Sequence, residues 1–183
     1  MLPGRVVRGR QNPLHWKQPA RLRKARKASK LSASALALAA GVNNSSVAHL
    51  EAGVGVPRLS TVERIANALK LSPAYLAFGT EGPWEPMEGV ALRCNGLAAR
   101  AREARTARGL SLREADRRAG RADGTLREFE AGTMPGLDTL EAVAKALSVT
   151  PAWLAFGIGP MEAPARRSRL AAAPTRSNLP GVP

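Results

Sequence analysis

Cysteine is nearly missing from this chain. Cys94 has no second thiol to bond with, so no disulfide framework can form within the 183 residues. Two histidines and one cysteine supply too few soft ligands for a structural zinc site, and no metal is expected. Aromatic residues make up only 4%, so a core must rest on Ala, Leu and Val. No stretch approaches the roughly 18 uncharged apolar residues of a membrane span. Arg5, Arg8 and Arg10 are not followed by a continuous apolar run before Pro13, so a secretory leader is not expected. Acid is also missing where base is dense. Residues 1–50 carry ten Lys/Arg and no Asp or Glu, and the first carboxylate is Glu51.

The chain as a whole has 28 Lys+Arg against 14 Asp+Glu, a net charge of +14. Such an excess points to a polyanionic partner, with DNA or RNA the first candidate. The competing reading is a merely solvated basic tail. Ten cations without one acid over fifty residues favour a phosphate-facing surface. Residues 1–19, broken by Pro3, Gly4, Gly9 and Pro13, read as a mobile basic arm.

The chain repeats itself. PRLSTVERIANALKLSPAYLAFG (57–79) returns as PGLDTLEAVAKALSVTPAWLAFG (135–157), with more than half of the positions identical. Upstream, residues 21–53 align with 100–132, including the shared triplets Glu51-Ala52-Gly53 and Glu130-Ala131-Gly132. Two copies of one folding unit follow, at 20–79 and 97–157. Residues 80–96, with Pro83, Pro86 and several glycines, read as a linker holding Cys94. Residues 158–183, rich in Arg and Pro, read as a disordered tail.

Each copy reads as five short helices. In the first, Leu22, Ala25 and Ala28 form the inner stripe of helix one, about 20–29, and Trp16 is placed to cover its core. Ser32 is positioned to cap helix two, because its hydroxyl can accept from an orphan backbone N–H. Gly41 ends that helix and Asn43 can cap helix three, about 44–52. Ser60 or Thr61 opens helix four, and Pro73 sits in the first turn of helix five, where its missing N–H costs nothing. Leu36, Val47, Leu50, Leu59, Val62, Ile65, Leu69, Leu71, Tyr75, Leu76 and Phe78 supply the core.

LSASALALAAGVNNSSVAHLEAG (31–53) resembles the helix-turn-helix of the lambda-repressor/Cro-like, or XRE-like, family. The family's small residue, turn glycine and aliphatic residue are matched by Ala37, Gly41 and Val47. The resemblance implies an all-α fold of two tandem five-helix lambda-repressor-like DNA-binding domains. It also implies that the helix at about 44–52 lies in the major groove of double-stranded DNA. Asn43, Asn44, Ser45, Ser46, Ala48 and His49 would then face base edges, and Asn44 can both accept from and donate to adenine. Ser32, Ala33 and Ser34 would meet a phosphate at a helix start, and Arg58 and Ser60 a second one. Plainer readings stand beside these: Asn43 as a simple cap, Asn44 and Ser45 as polar surface, His49 as a phosphate contact.

The second copy, LSLREADRRAGRADGTLREFEAG (110–132), departs from the pattern. Asp116 replaces Ala37, a costly exchange unless the carboxylate pairs with Arg113 or Arg127 or turns outward. Arg121 replaces Val42, Asp123-Gly124 replace Asn44-Ser45, and Glu128 replaces His49. The fold is expected to persist while the reading face drifts, giving a degenerate, non-reading copy. A single-chain pseudo-dimer on an asymmetric site is the competing reading.

A sequence-specific transcriptional regulator in the cytoplasm, associated with the nucleoid, is therefore the leading expectation. A protein-interaction adaptor or antitoxin-like subunit is the alternative, with residues 97–157 as the surface for a homodimer or another protein partner. No catalytic residues, cofactor or membrane association are expected. The chain shows no phosphate loop and no nucleophile–His–acid arrangement.

Overall fold

The computed structural model describes residues 13–80 and 92–162. Among these the regular structure is helical: α1 (Gln18–Ala28), α2 (Ala33–Ala40), α3 (Asn44–Ala52), α4 (Leu59–Ala68) and α5 (Pro73–Phe78), then α6 (Leu97–Thr106), α7 (Leu112–Ala119), α8 (Thr125–Glu130), α9 (Leu137–Ala146) and α10 (Pro151–Phe156). A short 3-10 turn precedes each set of five, at Leu14–Lys17 and Arg93–Gly96.

Local chemistry explains most of the boundaries. The Ser32 hydroxyl accepts from the Ala35 N–H at 3.0 Å, and Ser111 does the same for Glu114 at 3.1 Å. Each satisfies one of the orphan donors of a helix start. Ser72 and Thr150 cap α5 and α10, each followed by a proline at the first helical position. Helix four opens one residue before Ser60, with Arg58 at its cap position and no side-chain cap.

A pair of arginines braces each unit. Arg26 bonds Glu51 in fork geometry, at 2.6 and 2.9 Å, and also donates to the Leu31 carbonyl. Arg105 repeats this with Glu130 and Leu110. The bond from Arg26 holds the Glu51 carboxyl below its ordinary range. Arg21 donates to the Leu76 and Ala77 carbonyls and Arg100 to those of Leu154 and Ala155, each tying the first helix of a unit to the open end of the last. Burial pulls the pKa of Arg21 and Arg100 down from the usual guanidinium value. Two of the helix-one cations, Arg21 and Arg26, are thus structural.

The two units pack against each other about a pseudo-two-fold axis. Leu59 N–H donates to the Pro135 carbonyl at 3.4 Å, and its repeat equivalent Leu137 donates to Pro57 at 3.3 Å. The equivalent residues Arg58 and Gly136 form an isolated antiparallel bridge. Phe78 and its repeat Phe156 meet with ring centroids 6.3 Å apart. Glu63 accepts from the Arg93 and Cys94 backbone N–H groups, at 2.6 and 2.9 Å. Its equivalent, Glu141, accepts from Leu14 and His15, both at 2.9 Å. The two carboxylates therefore cap each other's leading 3-10 turn. Cys94, buried in this seam, has its thiol pushed up to about 12 by burial and then by Glu63.

These contacts correct several expectations. The arm expected over 1–19 is docked from Leu14 onward, because Glu141 holds its backbone; residues 1–12 lie outside the described residues. The linker expected over 80–96 is docked from residue 92, and Cys94 belongs to the core; residues 81–91 lie outside the described residues. Of the tail expected from 158, Ile158 is buried and the Met161 carbonyl accepts from Thr150, while 163–183 lie outside. Ala28 is exposed rather than part of an inner stripe, since α1 ends there. Trp16, 58% exposed, does not close the core. Leu71 and Tyr75 are half-buried at its edge.

Candidate nucleic-acid interface

Two helices and the turn between them build the site in the first unit. Ala37 and Val47 are fully buried where α2 packs on α3. The turn needs a residue at φ 61°, and Gly41 takes that left-handed conformation without a Cβ penalty. Val47 and Leu50 point α3 into the core. Helical periodicity then places Asn44, Ser45, Ala48 and His49 on the outer face, and all four are exposed. Ser46 is half-buried. Asn43 takes the extended conformation of a cap residue, but its side chain makes no cap bond. Its amide remains exposed, so the capping role expected for it is not used.

The remaining expected residues fall on the flanks. Ser32 and Ser34 are exposed at the start of α2, and Ala33 is half-buried beside them. Arg58 is exposed immediately before α4, and Ser60 is half-buried in its first turn. Leu38, 84% exposed, leaves an apolar spot on α2.

The exposed face of α3 carries no formal charge. Between Lys30 and Glu51 the only titratable side chain is His49. Cations stand around it instead, with Lys24, Lys27 and Lys30 exposed on and after α1. Arg64, not foreseen from the sequence, stands beside the turn: its Nη1 lies 3.7 Å from where a Gly41 side chain would begin. Only the packing of α4 on α2 brings Arg64 there, so no local sequence signal could have found it.

The second unit keeps the frame and changes the surface. Asp116 is 1% exposed. It neither pairs with an arginine nor turns outward. Its two oxygens accept from the backbone N–H groups of Gly124 and Leu126, each at 2.8 Å. The reason lies in α8, which starts only at Thr125 after Gly124 at φ 98°. Its first N–H groups lack intrahelical partners, and the buried carboxylate satisfies that of Leu126 together with that of the preceding Gly124. Arg113 pairs instead with Asp123 at 3.4 Å on the surface, and Arg121 with Asp138 at 3.4 Å. Arg117, Arg118 and Arg127 are exposed around the same turn, as is Glu128. An open depression lined by Arg113, Asp116, Asp123 and Arg127 lies between α7 and α8.

A family model described as helix-turn-helix matches residues 22–76 and again 102–154. The chain belongs to the helix-turn-helix family. Both of its units are of the lambda-repressor-like, XRE type. Helix-turn-helix units of this type are DNA-binding modules and not enzymes. Searches of curated proteins and of solved structures returned no match. Among the described residues no cluster of His, Cys, Asp or Glu is placed to hold a metal ion. No described helix is long and apolar enough to cross a membrane.

Proposed function

We propose that this helix-turn-helix protein is a sequence-specific, double-stranded DNA-binding transcriptional regulator that reads the major groove with α3. One observation carries the reading: Asn44 and Ser45 stand exposed side by side at the start of a helix whose inner face is locked by Val47 and Leu50. A rigid helix offering an amide and a hydroxyl at its N-terminal end suits base-edge readout, with Asn44 bidentate to an adenine. Exposed Lys24, Lys27, Lys30, Arg58 and Arg64 surround this face and supply sequence-independent grip. The hydroxyls of Ser32 and Ser34 and the start of α2 offer a further phosphate position. Asn43, Ser46, Ala48, His49, Ala33 and Ser60 complete the proposed contact surface. Action would be steric, by occupying an operator in the cytoplasm, at the nucleoid. The adaptor reading needs residues 97–157 free for a protein partner, but part of that surface, at Pro135, Leu137 and Phe156, is already covered by the first unit of the same chain.

The test is a selection of duplexes from a random library with full-length protein, followed by Asn44→Ala. The variant should lose about 1–3 kcal/mol on the selected site and little on random DNA. Equal loss on both would remove Asn44 from base reading.

A further inference from the structure

The contacts between the two units have the form of a dimer interface folded into one chain. Each is matched by its repeat equivalent: Leu59 to Pro135 with Leu137 to Pro57, Glu63 under Cys94 with Glu141 under His15, and Phe78 against Phe156. Such reciprocity is the mark of an isologous contact, in which one patch serves both partners. Here both partners lie in one molecule, so α3 and α8 are related by the same pseudo-two-fold axis.

We infer that one chain, acting alone, occupies one asymmetric duplex site made of two unlike half-sites, the first read by α3 and the second by α8 with the flanking arginines of α7. This rests on the DNA-reading role proposed above and names the DNA that the role requires.

Three observations support it. The first is reach. The axis passes beside the Arg58–Gly136 bridge. Six residues lead from Ala52, the end of α3, to Arg58, and extended chain covers at most about 3.6 Å per residue, so α3 ends within about 22 Å of the axis. Its counterpart obeys the same bound. Their C-terminal ends are therefore at most about 43 Å apart, an upper bound that leaves room for the roughly 34–36 Å between major-groove entries one turn apart on one face of a duplex.

The second is that the second face is cationic. Asp116 is consumed inside the fold as a backbone acceptor, so it adds no outward charge to the groove side. Asp123 is met by Arg113, while Arg117 and Arg127 are exposed. Glu128 stands exposed on this face, so the acids of this copy are answered only in part, but the exposed arginines Arg113, Arg117, Arg118 and Arg127 outnumber exposed Asp123 and Glu128.

The third is that the two faces differ in chemistry. Asn44 offers an amide, which suits adenine. Arg127, at the repeat position of Ala48, offers a guanidinium, which suits the O6 and N7 of guanine. A two-fold protein with unlike faces requires a site that is not a palindrome.

Selection from random duplexes with the full chain tests this directly, with mass measured on the complex. The expected motif has two unlike blocks about 10–10.5 base pairs apart, centre to centre. One chain should sit on each duplex. Arg127→Ala, an exposed substitution that leaves the core untouched, should erase the information in one block and weaken binding about tenfold or more. Asn44→Ala should erase the other block only. A palindrome bound by two chains, or a single block indifferent to Arg127→Ala, overturns the inference. Loss of a block on Asn44→Ala without any effect of Arg127→Ala keeps the α3 role and sinks this one. A selected motif that ignores Asn44→Ala sinks the α3 role itself, and the bipartite inference with it.

Discussion

Asp116→Ala is the substitution for which sequence pattern and structure forecast opposite signs. Alanine is what the first unit carries at the equivalent position, Ala37, and it is the better helix former by about half a kcal/mol. By pattern alone the exchange restores a close helix crossing and removes a buried charge, so it should stabilise. The structure says otherwise. Asp116 accepts two N–H groups at 2.8 Å, one from fully buried Leu126 and one from half-buried Gly124. Leaving a buried donor unsatisfied costs about 1–3 kcal/mol. Taking about 2 for Leu126 and about 1 for Gly124, less the gain in propensity and desolvation, leaves a net loss of about 2 kcal/mol. For a chain of this size that lowers Tm by about 4–8 °C. Urea unfolding followed by circular dichroism at 222 nm gives the comparison, with the midpoint falling at unchanged slope. Asp116→Asn keeps the volume but offers one acceptor oxygen to two donors, so it should lose at least half as much. An unchanged or raised midpoint for Asp116→Ala would refute the capping argument.

Other outcomes can be checked more briefly. Replacing exposed Lys24 and Lys27 by alanine should weaken binding alike on specific and random DNA and reduce the slope of log affinity against log salt by about 1.8, since each lost phosphate contact removes about 0.9. An unchanged slope would exclude α1 from the phosphate rim. A Cβ on Gly136 would stand 2.8 Å from Val56 Cγ1 across the pseudo-dyad, so Gly136→Val should loosen the seam and expose the Leu59 and Leu137 amides to hydrogen exchange. Continued protection of both amides would mean that the seam yields without opening. Glu51 is held below its ordinary value by Arg26. In Glu130 burial pushes the carboxyl up, but the bonds from Arg105 and Arg102 outweigh it and the net shift is downward. Both depressions contribute stability that is present above the unfolded carboxylate pKa of about 4.3 and lost as pH falls through the folded values. Arg26→Lys should therefore lower the midpoint at neutral pH and flatten the acid limb; an acid limb as steep as in the parent protein would count against the Arg26–Glu51 contribution.

The repeat, the family and most helix ends are legible in the order of residues alone. Those features are written in short-range chemistry: Ser32 bonds an N–H three residues on, Gly41 ends a helix where it stands, and Val47 and Leu50 face inward by helical periodicity. Exposed Asn44 and Ser45 could be read for the same reason, because the outer face of a helix follows from its inner one. Tertiary structure alone decided how the copies are joined and which charges are free. Glu141 reaches Leu14 across a separation of 127 residues, Arg21 reaches Leu76 across 55, and no local pattern encodes either bond. The role of Asp116 is not legible in the sequence, because its partners are backbone donors that exist only once α8 begins late. Backbone N–H groups are identical at nearly every residue, so which of them need a partner is settled only when the chain has folded around them.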